Sequence, residues 1–268
     1  MARADRASGR DLLSEAKVTY PGRDLYDVQL PNALAYSLDV LRERYEAIIC
    51  DEGQDFREEF WVPLELLLED YDGSPLYVFY DDNQNIYARA STFPILGEPL
   101  SLTTNCRNTA QIHAAAYARY RGVPVSPPDN DGSEVVFDRA QNHSVQATRI
   151  GARIVELVAR EGVSPGDVAV LVADAPRKVD LYGLLHRVPL PRPARWLEEG
   201  ARTDQTVLMD TVGRFKGLEA SVVILWGLDG VDWKRSEELL YVGMSRAKSL
   251  LVVVGSATTC AAVESGLP

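Results

Sequence analysis

Residues 45–56 read Tyr-Glu-Ala-Ile-Ile-Cys-Asp-Glu-Gly-Gln-Asp-Phe, an apolar run at 47–50 that stops at two adjacent acids, Asp51 and Glu52. A buried strand of a parallel sheet reads this way when it ends at a ligand-facing edge. Ligands of open α/β sheets sit beyond the carboxyl ends of the strands. Paired acids at such an edge suit phosphate chemistry: one carboxylate can hold a hydrated Mg²⁺ while its neighbour polarises a water for attack on phosphorus. The pair alone fits equally well an acidic loop behind a core strand. The rest of the chain decides between the two.

Working outward, a second apolar run at 76–80 also ends in polar residues, Asp81-Asp82-Asn83-Gln84-Asn85, before Ile86 and Tyr87. Two strands finishing on carboxylates and amides would line one edge of one sheet with them. Between the runs, residues 60–68 are helix-compatible and Asp72-Gly73-Ser74-Pro75 is a turn cluster. Upstream, Leu34, Leu38, Leu41 and Tyr45 mark an amphipathic helix over 32–45. Residues 1–16 carry no clear apolar period and are expected as a frayed terminus.

Near residue 100 the pattern restarts with a short strand at 100–104, then Asn105-Cys106-Arg107-Asn108-Thr109 and a helix over 110–120 that Asn108 or Thr109 can cap. Residues 122–132 are a loop by composition. Strands at 134–137, 168–173, 207–211, 222–226 and 250–254 then alternate with helices at 144–160, 176–186 and 237–248, while Pro189, Pro191 and Pro193 mark a surface stretch. Such alternation favours a parallel sheet with helices on both faces. Arg246 and Lys248 fall in the last turn of the 237–248 helix, where cations suit the helix dipole.

At 268 residues, 46% hydrophobic and 25% charged, the composition is that of a folded globular chain with a sizeable core. No apolar run is long enough to span a bilayer and no signal-peptide core is present at the N-terminus, so a cytoplasmic location is expected. A net charge of −11 excludes general electrostatic attraction to nucleic acid, though not a local basic groove. Cys50, Cys106 and Cys260 are too scattered for a zinc site or a disulfide framework and are expected as buried thiols. His113, His143 and His186 form no ligand cluster.

Taken in order, five segments resemble the later motifs of superfamily 1 helicases of the UvrD/Rep type. Asp51-Glu52-Gly53-Gln54-Asp55 resembles the Walker B motif, and 81–87 the third motif with its Gln and Ile-Tyr. Residues 102–107 followed by Ile112 resemble the fourth, 211–219 with Lys-Gly-Leu-Glu intact the fifth, and Tyr241-Val242-Gly243-Met244-Ser245-Arg246-Ala247 the sixth. The resemblance implies RecA-like parallel sheets flanked by helices: a partial first lobe over 1–99 and a complete second lobe over 100–268.

Carried over by position, the resemblance implies ATP and Mg²⁺ as cofactors and single-stranded DNA or RNA as partner. Asp51 would hold Mg²⁺, Glu52 would activate water, and Gln84 would contact the γ-phosphate. Arg107 and Arg246 would stabilise charge on the transferred phosphoryl group, as guanidinium forks do. Glu219, with Gly217, would meet the nucleotide, and Thr211 and Lys216 the nucleic acid or the surface between the lobes.

The sequence departs from that pattern in one large respect: it contains no Gly-x-x-x-x-Gly-Lys-Ser/Thr loop. About 50 residues precede Asp51, too few for the first half of a nucleotide-binding lobe, so the expectation is a C-terminal part of a longer protein whose upstream Walker A lobe completes it. On its own the chain is expected to be inactive. The alternative is a catalytically silent helicase-like module that binds protein or nucleic acid.

Overall fold

The computed structural model describes residues 2–81, 93–95, 98–232 and 237–266. They form two compact units, Met1–Pro99 and Leu100–Pro268. The α/β architecture with helix-flanked parallel sheets stands, and no described helix is long and apolar enough to cross a membrane.

In the first unit, α1 (Ala2–Ser8) and α2 (Leu12–Thr19) pack on α3 (Leu30–Leu41). The terminus expected to fray is therefore docked. Ala4, Leu12 and Ala16 are fully buried, three apolar contacts too sparse to set a period in the sequence yet enough to seat two short helices. Asp11 caps α2 by accepting the Ser14 N–H at 3.0 Å, and Asp5 accepts the Leu12 N–H at 3.1 Å. The third helix ends before the expected Tyr45 because Arg42 turns left-handed at φ 51°.

Strands β1 (Ile48–Cys50) and β2 (Leu76–Val78), separated by α4 (Glu58–Glu65), pair in parallel from Ile48 opposite Leu76 to Cys50 opposite Val78. The fully buried strand expected here is a three-residue strand with one covered face. Cys50 is buried, whereas Ile49 is 70% and its partner Tyr77 is 55% exposed. Side chains alternate across a strand, so a pair of short strands with neighbours on one side turns every second residue to solvent.

The second unit is built on six parallel strands in the order β3-β8-β7-β4-β6-β5. These are β3 (Val136–Arg139), β4 (Val168–Val172), β5 (Arg195–Leu197), β6 (Thr206–Thr211), β7 (Ala220–Trp226) and β8 (Ala247–Gly255). The central strands β4 and β6 are buried along their whole length, as strands sandwiched between helices must be. Helix α5 (Ala110–Tyr117) precedes the sheet, and α6 (His143–Ala159) and α7 (Lys178–His186) connect its strands. Ile150, Ile154 and Leu157 of α6 and Leu181 and Leu185 of α7 complete the core against Val170, Met209 and Ile224.

Several expectations are corrected here. Residues 100–104 form no strand: Leu100 is 96% and Leu102 79% exposed, and a single bridge joins Thr104 to Ser126. Thr109 occupies the cap position of α5 without a side-chain bond, and the Asn108 side chain is engaged elsewhere. Helix α8 (Glu237–Ser245) ends before Arg246, and Lys248 lies on β8. The helix-dipole account therefore fails for Lys248, whereas Arg246, one residue past the helix, still donates to the last-turn Val242 carbonyl. Edge strand β5, hidden behind prolines, and α9 (Ala257–Glu264), capped by Ser256, are additions to the elements read from the sequence. Cys50 and Cys260 are buried, but Cys106 is exposed.

Replacing Leu12 by Ala should destabilise the first unit by about 2–5 kcal/mol, the usual cost of emptying a fully buried leucine site. Urea unfolding monitored in the first unit would detect this; an unchanged midpoint would show that the N-terminal helices are not docked.

Candidate functional site

In the first unit the acids sit on a tight connection at the carboxyl end of β1. Asp51 is exposed, and its Oδ1 accepts the Glu52 N–H at 2.8 Å. Glu52 is left-handed at φ 55°, a conformation that a non-glycine residue adopts at a cost. The next residue must be glycine for a different reason: a Cβ on Gly53 would stand 2.4 Å from Val78 Cγ1. That close approach is fixed by the Gly53 N–H donating to the Phe79 carbonyl at 2.8 Å.

Gln54 is fully buried and ties the two strand ends together. Its Nε2 donates to Glu52 Oε2 at 2.6 Å, and its Oε1 accepts the Asp81 N–H at 3.0 Å. The glutamine thus aims the Glu52 carboxylate and anchors the start of the second acidic segment. Gln84 lies outside the described residues. Among the described residues no group of three or more His, Cys, Asp or Glu could hold a metal ion. Magnesium does not require one, since it retains several waters and takes one or two carboxylates; exposed Asp51 fits that role.

The second unit gathers another cluster at the amino ends of β7 and β8. Glu219 accepts from Arg107 Nε at 3.2 Å and from Lys248 Nζ at 3.1 Å. The hydrogen bond from Lys248 is the largest influence on Glu219 and, with Arg107, holds its carboxyl below the ordinary range against partial desolvation. All three side chains are close to half exposed, so solvent screens the pairing. Lys248 reaches Glu219 through an irregular register. Ala220 pairs with Ala247 but Val222 pairs with Leu250, which puts one extra residue into β8. Bulges of this kind re-aim side chains.

Arg246 is the one-residue joint between α8 and β8, and it is 1% exposed. Its Nε donates to the Val242 carbonyl at 3.2 Å, Nη1 to the Leu218 carbonyl at 3.5 Å and Nη2 to Ser245 Oγ at 3.2 Å. Leu218 is presented by Gly217, left-handed at φ 78°, a conformation natural to glycine.

Arg107, Gly217, Glu219 and Arg246 are therefore brought together. Thr211 is not among them. It pairs with Val172, which pairs with Trp226, so Thr211 lies level with the last residue of β7. Glu219 precedes the first residue of that strand, and seven residues of rise separate the two levels by roughly 23 Å. Thr211 is buried, and its hydroxyl accepts the Arg214 N–H at 3.3 Å, closing the turn that leads to partly buried Lys216. Beside it Asp210 is raised above the usual carboxylate range by burial, opposed by its bond from the Thr211 N–H and by Arg214.

Four residues of this region were not assigned to the site from the sequence: Lys248, read as a helix-end cation, Asn108, read as a cap, and Asn105 and His113. Asn105 Nδ2 lies 2.8 Å from Asn108 Oδ1 and 2.9 Å from His113 Nδ1. Burial pushes the His113 imidazole below its ordinary pKa, while a backbone bond at Val125 raises it. The Asn-x-x-Asn spacing before a helix was the available signal, but it was read as a cap.

Residues 206–254 match the model of the UvrD-like helicase C-terminal domain. The matched stretch is 49 of the 268 residues. It contains Thr211, Gly217, Glu219, Arg246 and Lys248, and it spans β6, β7, α8 and most of β8. No curated protein matches the chain. Among solved structures, the C-terminal domain of a possible DNA helicase from Lactobacillus plantarum WCFS1 is similar at 17% identity, covering 56% of this chain and 86% of that one, with a TM-score of 0.44.

His113 supplies a pH test of the second unit. Its folded-state pKa is depressed, so the unfolded chain takes up the proton first as pH falls. The stability contribution is whole above about pH 6.5 and declines from there down to the folded pKa. The imidazole Cε1 proton followed by NMR should titrate below the midpoint of an unstructured histidine; a midpoint at or above it would show that burial does not govern the ring.

Proposed function

We propose that the chain is the C-terminal portion of an ATP-driven helicase or translocase acting on single-stranded DNA or RNA. The phosphate-cradling Gly-Lys loop comes from another segment of the parent protein. One juxtaposition supports this most: Arg107, Glu219 and Lys248 form a charge cluster next to Arg246, and three of these four lie within the stretch matching the UvrD-like helicase C-terminal domain.

In this reading ATP is the substrate, and bound Mg²⁺ would neutralise part of the charge on its phosphates. Asp51 would hold the hydrated cation, and Glu52, oriented by Gln54, would take the proton of the attacking water. Gln84 senses the γ-phosphate. Arg107 and Arg246 stabilise charge developing on the transferred group, for which a planar five-donor guanidinium is suited. Glu219 and Gly217 border the nucleotide, and Thr211 and Lys216 lie toward the nucleic acid. The burial of Arg246 gives the second reading its one specific support, since a silent module has no use for an accessible arginine.

With Mg²⁺-ATP and single-stranded DNA, residues 1–268 alone should turn over no faster than their Glu52→Gln variant. Joined to the loop-bearing segment of the parent, the chain should gain turnover that Glu52→Gln reduces by about 10²-fold or more. In the same protein Arg246→Ala should reduce hydrolysis far more than ATP binding. Equal losses would remove Arg246 from the transition state, and no gain on joining would leave the silent module as the better account.

A further inference from the structure

We infer that Asn108 is a positioning residue for Arg246, gripping the backbone on both sides of it, and that Asn105 extends the same grip to Arg107. The inference rests on the reading of Arg246 as a nucleotide-side group for its functional meaning, while its structural content stands independently.

Asn108 is 3% exposed and 137 residues away in sequence from the junction it contacts. Its Nδ2 donates to the Ser245 carbonyl at 2.9 Å and to the Ala247 carbonyl at 2.5 Å, the two peptide oxygens flanking Arg246. A side-chain amide has two N–H donors, and both are used. Its Oδ1 accepts from Asn105 Nδ2 at 2.8 Å, and the other Asn105 N–H points to His113 Nδ1 at 2.9 Å. Asn105 Oδ1 accepts the backbone N–H of Arg107 at 2.9 Å and of Asn108 at 3.3 Å.

The orientation of each amide is forced by its neighbours. Turning Asn108 over would set its oxygen against two carbonyl oxygens and its NH₂ against the Asn105 NH₂, so the network has one consistent arrangement. Arg246 needs such a hold because it belongs to neither α8 nor β8. Its own carbonyl accepts the Ala220 N–H at 3.1 Å, which carries any displacement of the joint directly to the residue after Glu219. A single loop, residues 105–108, thereby sets the backbone of Arg107 and of Arg246 together. Through the Arg246 carbonyl, the residue after Glu219 is tied to the same loop.

Asn108→Asp keeps the shape and removes both donors; Asn108→Ala removes the group with less electrostatic penalty. In either variant of the 268-residue chain, hydrogen exchange by NMR should quicken about tenfold at the Ala220 amide and the Arg246 Nε–H, the scale of one lost hydrogen bond. The Val170 and Leu171 amides, in the centre of the sheet, should stay unchanged. Unaltered exchange at Ala220 and Arg246 overturns the inference, and so does an equal acceleration everywhere, which would mark Asn108 as a general stabiliser. The native chain offers a measurement that requires no variant: the Asn108 Nδ2 protons should exchange slowly, and rapid exchange also overturns it. None of these readouts involves ATP turnover, so the positioning role can fail while the motor reading survives, and the reverse.

Discussion

The pairing of Ala220 with Ala247 is the constraint on which the second unit's cluster depends. Parallel strands in register place the residues that precede them side by side, so Glu219 and Arg246, distant in sequence, enter the sheet as neighbours. The Ala220 N–H bond to the Arg246 carbonyl is the first rung of that ladder. The extra residue in β8 immediately afterwards brings Lys248 to Glu219. Strand β7 is buried at Ala220 and from Val222 to Trp226, and β8 at Ala247 and from Leu251 to Gly255, so the paired strands are anchored in the core on either side of the irregularity. The exposed charges contribute little stability themselves; the apolar core holds them in place.

The first unit uses a different device. Its sheet is too small to enforce position by burial, and Ile49 and Tyr77 face solvent. Local bonding compensates: Gln54 spans from Glu52 to Asp81, Gly53 closes on the Phe79 carbonyl, and Phe79 donates back to the Cys50 carbonyl. Glu52 is held left-handed inside this mesh. Strain of this sort persists only where surrounding contacts over-determine it, and here it falls on one of the two acids that drew attention in the sequence.

What the sequence revealed follows from how locally each feature is encoded. Strands β4, β6 and β7 were legible because burial on both faces demands unbroken apolar runs. Strand β5 was not, because three residues just after a proline-rich stretch, in an edge position, leave no periodic trace. The N-terminal helices escaped notice for the same reason, with Ala4, Leu12 and Ala16 as their deeply buried anchors. Arg107, Glu219 and Arg246 were legible as motif residues, whereas Lys248 was assigned to a helix that stops three residues earlier. Asn108 was unreadable in principle, since its partners are two backbone carbonyls 137 and 139 residues away, and carbonyls have no sequence identity.

The sheet of the second unit also separates two kinds of candidate residue. Arg107, Glu219, Arg246 and Lys248 stand at the amino ends of β7 and β8, while Thr211 closes the carboxyl end of β6. The segment between Thr211 and Glu219 crosses from one edge to the other as consecutive turns, with Phe215 fully buried along the way and Val212 bonded to the Val172 carbonyl. It is thus pinned to the core at Val212 and Phe215 and exposed elsewhere along much of its length. Close-packed interiors transmit displacement with little give. Val212 and Phe215 therefore fix the middle of the connection in the core, while Arg214, Gly217 and Leu218 stay exposed, so the segment is held by burial and not by charge.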